Sequence, residues 1–415
     1  MNKTSIAVAL VALAIVAAVL LNLPGKDGQQ AGDPPAGAKN EEIKIGVLLG
    51  FTGPIESLTP AMAASAELAM QEVSDSGVLL GGKKLVPVRA DSTCVDSSAA
   101  TAAAERLISS DEVTAIYGAD CSGVTTAVAN NVAVPNGVVM ISPSATAPAL
   151  TSIDDKGFFF RTAPSDARQG EVLAGIAKAR GVENVAITYT NNDYGKGLAD
   201  AFSEAFKALG GKIQMTAAHE DGKADYAAEV AGLAAAGADD LVVFGYLDQG
   251  GKGIVQTAID NGAFSRFVFA DGMIGQSLVD AIGEDLVGSF GTAPGSDSAG
   301  AAKFAEVAKG AGIDANGGPF RGESYDAVAL LALAMQAGGS TDRAELQANV
   351  MKVANAPGTM IMPGELAKGL KILAEGGDVD YVGATNVEFT DVGEAAGSYK
   401  ELEVKGGKFT AIRVH

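Results

Sequence analysis

The sequence predicts an α/β protein built from two doubly wound, mostly parallel sheets. Strand-like and helix-like segments alternate from Ile43 onward, which is typical of parallel sheets covered by helices. Apolar residues make up 47% of the chain and glycines number 53, a composition typical of a well-packed α/β protein. A chain of 415 residues is long for a single hydrophobic core and suits two.

The first set of elements is predicted within residues 43–162. The spacing of apolar residues predicts strands at 43–50 and 85–92 and helices at 59–76 and 97–110, the second helix capped by Asp96. Two further strands, 113–118 and 138–141, stop at short runs of small and hydroxyl-bearing residues. We expect each of these two strand ends, called corners below, to lead into a helix.

A second set of the same units is predicted after residue 162. Helices are predicted at 165–180, 194–209, 224–236 and 252–261, and strands at 185–189, 213–218, 241–246, 267–271 and 286–292. Later segments predict helices at 299–311, 325–337 and 341–353, a strand at 387–390, and a hairpin of strands 399–405 and 409–414. We expect the late helices to complete a first lobe and the hairpin a second, with a ligand in the cleft between them.

The two corners are the most informative residues for function. The first contains Ser122 after Gly118 and Cys121, and the second contains Ala145 and Thr146. A helix start leaves backbone N–H groups unpaired and carries partial positive charge, so it attracts anions. Two such corners on neighbouring parallel strands would direct several donors at one carboxylate. The pattern predicts binding of an acid, and ordinary helix capping by Ser122 and Thr146 is the alternative.

The composition argues against other classes of function. A net charge of −20 disfavours nucleic acids and anionic membrane surfaces as partners. The only histidines are His219 and His415, and no nucleophile elbow, dinucleotide turn or metal-ligand spacing is found in the sequence. The lysine-containing turn that ends at Lys252 lacks the Ser or Thr of a phosphate loop. We therefore expect no catalysis, no cofactor and no metal.

The N-terminal segment predicts export. Residues 1–22 begin with a positive charge at Lys3 and continue as an almost purely apolar run, as in a signal peptide. Residues 23–42 are rich in Gly, Pro, Gln and Ala, which is typical of a flexible tether. Because no small-x-small cleavage site follows Leu21, an uncleaved signal-anchor is the alternative. In either case we expect the remainder of the chain in the periplasm.

The two cysteines, Cys94 and Cys121, follow neighbouring predicted strands. In an oxidising compartment an even pair of cysteines favours a disulfide. Strand ends on one edge of a sheet are close enough for such a bond. Two buried thiols are the alternative.

Several short motifs occur in a fixed order along the chain. They are Ile43-Lys44-Ile45-Gly46, Thr52-Gly53-Pro54, Gly81-Gly82-Lys83-Lys84-Leu85, Asp91-Ser92-Thr93-Cys94, Gly118-Ala119-Asp120-Cys121-Ser122, Met140-Ile141-Ser142-Pro143-Ser144-Ala145-Thr146, Phe160-Arg161-Thr162 and Asp193-Tyr194-Gly195-Lys196-Gly197. From 43 to 414, this ordered set resembles the leucine/isoleucine/valine-binding family of periplasmic solute receptors for ABC importers. The resemblance implies two lobes joined by three hinge crossovers, with 43–162 and 294–384 in lobe 1 and 163–293 and 385–415 in lobe 2.

The resemblance also implies a site for an amino acid. Ser122, Thr146 and the backbone of Ala145 fall where the family grips the α-carboxylate of its ligand, which agrees with the argument from the corners. Asp271 falls where the family places a carboxylate for the α-ammonium, and an N-cap of the following helix is the alternative. Tyr194 falls where an aromatic side chain covers the ligand, and a core tyrosine is the alternative. The cysteine pair falls on the family's disulfide positions.

Leu58, Tyr246 and Phe320 are expected to complete the wall around the ligand's side chain. Leu58 stands where relatives often carry an aromatic residue, and the turn at Tyr246 departs from the family pattern. A larger or more polar amino acid, or an amide, therefore fits as well as a branched-chain one. We expect an exported, monomeric substrate-binding protein that delivers this ligand to an ABC permease. A membrane-anchored sensory receptor with the same fold is the alternative.

Overall fold

A computed structural model describes residues 42–415, and the predicted signal segment and the tether up to residue 41 lie outside this range. The strands are β1 (Glu42–Leu49), β2 (Lys84–Asp91), β3 (Ala115–Gly118), β4 (Met140–Ser142), β5 (Phe159–Arg161), β6 (Asn184–Thr190), β7 (Lys212–His219), β8 (Asp240–Phe244), β9 (Phe267–Phe269), β10 (Phe290–Pro294), β11 (Thr359–Ile361), β12 (Val379–Tyr381), β13 (Tyr399–Lys405) and β14 (Lys408–Val414). The α-helices are α1 (Thr59–Ser76), α2 (Ser97–Ser109), α3 (Ser122–Val128), α4 (Asp166–Ala179), α5 (Asp193–Ala208), α6 (Ala227–Ala235), α7 (Lys252–Asp260), α8 (Gln276–Ile282), α9 (Ala299–Gly310), α10 (Arg321–Gly338), α11 (Arg343–Ala354) and α12 (Leu366–Ala374).

The strands form two large sheets. The first has the order β2-β1-β3-β4-β5, and all its strands are parallel. The second has the order β14-β13-β10-β9-β8-β6-β7, in which β6 to β10 are parallel and the hairpin β13–β14 joins one edge antiparallel. Strands β11 and β12 form a separate parallel pair. This architecture confirms the predicted α/β fold with two doubly wound sheets.

The chain crosses between the sheets three times, after β5, after β10 and before β13. After the second crossing, α10 packs against α1, α11 and α12. Almost every residue of α10 is buried, as expected for a helix that is surrounded by others. The late helices therefore complete the half of the molecule built on the first sheet, and the terminal hairpin completes the second sheet.

The predicted elements agree with the structure apart from a few segments. Helix α1 has its predicted ends, and Asp96 caps α2 by accepting bonds from the N–H groups of Ser98 and Ala99. The predicted strand at 387–390 is wrong. Phe389 forms only an isolated antiparallel bridge to Ala395, and on its other side the amide side chain of Asn355 bonds both its N–H and its carbonyl. Helix α12 and strands β5, β11 and β12 were not predicted. No helix in residues 42–415 combines the length and apolar character needed to span a membrane.

The expected disulfide joins Cys94 to Cys121, with Cα atoms 5.1 Å apart. Cys94 lies just after β2, and Cys121 lies directly before α3, so the bond ties together two strand ends that flank β1. The space between them is tight at Gly50, because a Cβ there would lie 3.2 Å from both Cys94 Cβ and Asp120 Oδ2. The bond therefore holds the first corner in place immediately beside Ser122.

Replacing both cysteines by serine is expected to lower the free energy of unfolding by about 3–4 kcal/mol, because the bond closes a loop between residues 27 apart. Urea denaturation with and without a reductant measures this. The reductant is expected to destabilise the wild type by a similar amount and to leave the double variant unchanged. If, without reductant, the double variant unfolds with a free energy less than about 1 kcal/mol below that of the wild type, a stabilising role of the disulfide is contradicted.

Candidate functional site

Ser122 links the two corners. It is the first residue of α3, it is buried, and its Oγ accepts bonds from the N–H groups of Thr146 and Ala147, each at 3.1 Å. A serine hydroxyl has two acceptor positions and one donor hydrogen. With both acceptor positions in use, the Ser122 hydroxyl keeps its hydrogen free to donate to an acceptor outside the corner.

The backbone donors of the second corner are already paired. The N–H of Ala145 donates to Ser142 Oγ at 3.0 Å, and Ser142 Oγ donates to the carbonyl of Ala119 at 2.5 Å. Beyond the corner the chain forms only a short 3₁₀ helix, Pro148–Ser152, so the expected second α-helix start is wrong. The expected row of unpaired amides at 145–147 is wrong as well, because two serine hydroxyls bind them. A direct role for the Ala145 amide stays a prediction.

Arg161 fixes the backbone of the second corner by hydrogen bonds to its carbonyl groups. Its guanidinium is almost completely buried and donates to the carbonyls of Ala145 and Ala147 at 3.1 and 3.0 Å. It also bonds the hydroxyl of Thr151 at 2.8 Å and pairs with Glu394 at 2.5 Å. The planar guanidinium thus orients both carbonyls at once, as its rigid set of donors allows. Sequence reasoning used Arg161 only as part of a motif and missed this positioning role.

Asp166 is a second carboxylate that sequence reasoning missed. It lies in the first turn of α4, and its N–H donates to the carbonyl of Thr146 at 2.8 Å. Both of its carboxylate oxygens are buried and make no hydrogen bond of normal geometry among the described residues, although the Thr146 hydroxyl is close enough to lower the pKa of Asp166 in part. Burial and the nearby carboxylate of Asp271 raise the pKa of Asp166 well above its ordinary value. An acid in the first turn of a helix is usually explained by the helix dipole, so its sequence position alone carried no functional signal.

Asp271 and Tyr194 form a bonded pair. The Tyr194 hydroxyl donates to Asp271 Oδ1 at 3.0 Å and accepts from the N–H of Gly272 at 3.2 Å. The other oxygen, Oδ2, is buried without a partner in the described chain. Burial raises the pKa of Asp271 to about 6, although the bond from Tyr194 lowers it in part. Tyr194 therefore orients Asp271 and leaves one carboxylate oxygen to receive a donor.

Five of the unpartnered buried atoms of the described residues share one chemical character. They belong to the corner after β4, the first turns of α4 and the segment after β9, and they are Thr146 Oγ1, Asp166 Oδ1 and Oδ2, Gln169 Oε1 and Asp271 Oδ2. All are oxygens that can accept hydrogen bonds, the Thr146 hydroxyl can also donate one, and two of the groups are carboxylates. Leaving such a group buried and unpaired costs about 1–3 kcal/mol, and more when it is charged. A positively charged group with several N–H donors satisfies them best.

The residues predicted to surround the ligand's side chain form two separate groups in the structure. Tyr246 stacks on Tyr194 with ring centroids 5.2 Å apart, so these two side chains form one aromatic surface. Leu58 and Phe320 are buried but lie to one side, where they border a groove of about 740 Å³. The structure thus brings Tyr194, Tyr246 and Asp271 together and places Leu58 and Phe320 beside them.

Two loops meet across the cleft. The loop after β1 and the loop after β8 are joined by Asp248, whose N–H donates to the carbonyl of Pro54 at 2.8 Å. The Asp248 carboxylate accepts from the N–H of Ser57 at 2.9 Å. These bonds connect the two sheet-containing halves on the side of the cleft away from Arg161.

The histidine in the described core has no catalytic neighbour set. His219 is buried, its Nδ1 is bonded to the Thr188 hydroxyl at 2.8 Å, and burial lowers its pKa to about 4. Its other nitrogen lies 4.0 Å from Asp221. Within residues 42–415 no group of three or more His, Cys, Asp or Glu side chains is arranged to hold a metal ion.

Comparison with known proteins identifies the family. Residues 42–367 match the family described as periplasmic binding protein. The Leu/Ile/Val-binding protein homolog 3 of Brucella melitensis is 30% identical over 314 residues, which cover 74% of this chain and 82% of that protein. The fold matches the branched-chain amino acid transporter substrate binding protein LivJ of Streptococcus pneumoniae in complex with isoleucine, with a TM-score of 0.73, 24% identity and coverage of 90% and 99%. It also matches an ABC transporter solute binding protein of R. palustris in complex with 4-hydroxybenzoate, with a TM-score of 0.73, 21% identity and coverage of 90% and 97%. The chain therefore belongs to the periplasmic binding protein family, whose members bind solutes and are not enzymes.

Proposed function

We propose that this protein is the exported substrate-binding component of an ABC importer and that its ligand is an α-amino acid. The ligand is held between lobe 1, residues 43–162 and 294–384, and lobe 2, residues 163–293 and 385–415. The observation that carries the proposal is the buried set of unpartnered oxygen acceptors, which includes the carboxylates of Asp166 and Asp271. An α-ammonium supplies the positive charge and the three donors that these acceptors lack.

The two ends of the amino acid bind to different groups. The hydroxyls of Ser122 and Thr146 donate to the α-carboxylate, with the backbone of Ala145 beside them. Asp271 and Asp166 accept from the α-ammonium, and each charge-assisted bond contributes about 1.5–3 kcal/mol. Tyr194 covers the ligand and, by its bond to Asp271, keeps that carboxylate oriented.

The two carboxylates favour a zwitterion over a simple acid. Relatives of this fold are known in complex with isoleucine and with 4-hydroxybenzoate. A benzoate-like anion carries no ammonium, so it would leave both aspartates unpaired and would be repelled by them if they are ionised. The similarity to a Leu/Ile/Val-binding protein homolog agrees with an amino acid as the ligand.

Delivery of the ligand to a permease depends on closure of the two lobes over the ligand. A ligand that contacts groups of both lobes stabilises the closed arrangement in proportion to its extra contacts there. We propose that the closed protein, as a monomer, presents the surface that an ABC permease in the membrane recognises. The disulfide supports an oxidising compartment such as the periplasm.

Replacing Asp271 or Asp166 by Asn is expected to weaken amino-acid binding at least tenfold, or about 1.4 kcal/mol, because a charge-assisted bond to the ammonium is lost. Isothermal titration with a panel of amino acids measures this. The ligand-free variants are expected to keep or gain thermal stability, since a buried unpaired charge is removed. Replacing the exposed Asp285 by Asn is the matched control and is expected to change neither property. Unchanged affinity for every bound amino acid in both cleft variants would contradict the proposal.

Amino-acid affinity is expected to fall as the pH is lowered from 7.5 to 5. Burial raises the pKa of Asp271 to about 6, and its protonated form does not attract an ammonium. Below that pKa the affinity should drop by up to about tenfold per pH unit for each proton that must be released. Titration calorimetry across this range measures the slope, and Asp271→Asn should flatten it. Tighter binding at pH 5 than at pH 7.5 would refute this assignment.

The free energy of unfolding of the ligand-free protein is expected to have the opposite pH dependence and to fall as the pH rises. Because the pKa of Asp271 is raised in the folded state, the folded state binds more protons than the unfolded state between about pH 4 and 6. This group therefore makes the free energy of unfolding fall as the pH rises through that window. Urea denaturation of the wild type and of Asp271→Asn at several pH values isolates its contribution, which the variant should lack.

Removing the contact at Asp248 is expected to weaken closure. Asp248→Ala loses the bond to the Ser57 N–H, and a loss of about 1 kcal/mol corresponds to roughly fivefold weaker ligand binding. Small-angle scattering should show that the liganded variant is less compact than the liganded wild type. Asp260→Ala, an exposed acid at the end of α7, is the control. Equal affinity and equal compactness would show that this contact does not hold the lobes together.

A further inference from the structure

A groove of about 740 Å³ lies between α9 and the hairpin β13–β14 and is lined in part by Gly275, four residues beyond Asp271. One wall is formed by α9 and the start of α10, and the other by the hairpin β13–β14 and the start of α8. Its apolar lining includes Phe304, Phe320 and Phe409, and its charged lining includes Glu323 and Lys400. The groove is far larger than a branched aliphatic side chain requires, and none of the contacts assigned above to the amino-acid backbone uses it.

Leu58 lies at the edge of the groove. Gly275 and Gly318 both line the groove, and a Cβ on them would lie 3.1 and 2.7 Å from Leu58 Cδ2. Gly275 is four residues beyond Asp271 along the chain, and a Cβ on it would also lie 2.5 Å from Leu247 Cδ2. Leu58 therefore packs against two glycines of the groove lining, and we infer that it is the partition between the groove and the amino-acid head group.

The polar end of the groove holds Glu323 and Lys400, which interact electrostatically without forming a close ion pair. Glu323 is 4% exposed, and its carboxylate accepts no hydrogen bond from another residue within 42–415. Lys400 lines the same groove from β13, and within residues 42–415 its ammonium is not within 4.0 Å of the Glu323 carboxylate. The Arg321 guanidinium is already bonded to the carbonyls of Gly318, Asp314 and Ala315.

An amide is the neutral group that fits this pair. Its carbonyl accepts from an ammonium, and its N–H donates to a carboxylate. Burial and Asp326 raise the pKa of Glu323 to about 7, while Lys400 and Arg321 lower it in part, so the carboxyl is costly to leave charged and unbonded. An amide satisfies both groups without bringing a further charge into the groove.

We propose that this groove is the distal half of the ligand site and that the preferred ligand is an α-amino acid with a long side chain ending in an amide. The inference rests on the proposed function, because the amino-acid head group is held as described above. The side chain passes Leu58, its apolar stem lies against Phe304 and Phe320, and its amide bonds Glu323 and Lys400. Leu58 and the polar end of the groove then determine specificity.

Nε-acetyl-L-lysine and L-leucine are the two probes that test this proposal. The wild type is expected to bind Nε-acetyl-L-lysine more tightly than L-leucine in calorimetric titrations. Lys400→Met and Glu323→Gln are expected to weaken Nε-acetyl-L-lysine binding at least fivefold and to leave leucine binding unchanged. Lys405→Met, in the same strand but with an exposed side chain outside the groove lining, is the matched control for Lys400→Met.

Variants of Leu58 provide a second, independent test, in which the ratio of the affinities for the two probes is measured. Leu58→Ala is expected to shift the ratio of affinities towards Nε-acetyl-L-lysine, and Leu58→Trp to shift it at least tenfold towards leucine. Leucine binding together with no binding of Nε-acetyl-L-lysine, or equal effects of all variants on both probes, overturns the groove assignment and leaves the proposed function intact. Failure of every amino acid, leucine included, overturns both.

Discussion

Two buried carboxylates without partners, Asp166 and Asp271, are the constraint on which the rest of the site depends. Burial raises the pKa of both groups, and each carboxylate adds to the cost of ionising the other. Such a pair lowers the stability of the ligand-free protein, and a bound positive charge can offset this cost. We propose that an ammonium enclosed between them does so. Ser122 and Thr146 belong to the proposed lobe 1, whereas Asp166 and Asp271 belong to the proposed lobe 2, so the same ligand would also join the two lobes.

The surrounding structure holds these groups rigidly before any ligand arrives. Arg161 orients the second corner through two carbonyls, and the hydroxyl of Ser122 bonds the amides of that corner. The disulfide secures the first corner directly before Ser122. Tyr194 fixes one oxygen of Asp271 and leaves the other for the ligand. Preorganisation of this kind reduces the entropy lost on binding, because few side chains remain to be ordered.

Sequence reasoning recovered the elements whose signals are local. The alternation of strands and helices, the Asp96 cap and the terminal hairpin depend on neighbouring residues, and they agree with the structure. What it missed depends on distant contacts. The side chain of Asn355 bonds the backbone of Phe389, and the hydroxyls of Ser122 and Ser142 bind amides that the local pattern left free. Asp271 was expected from a resemblance, whereas Asp166 emerged only when the fold placed it near Thr146 and Asp271.

The requirement for an ammonium is the central claim, and a paired titration tests it most directly. The best-bound amino acid of a panel is compared by calorimetry with its analogue that lacks only the α-amino group, such as L-leucine with 4-methylpentanoate. Loss of two charge-assisted bonds, at about 1.5 kcal/mol or more each, predicts a preference of roughly a hundredfold or greater for the amino acid. Equal affinity for the two compounds, or tighter binding of the simple acid, would contradict the account.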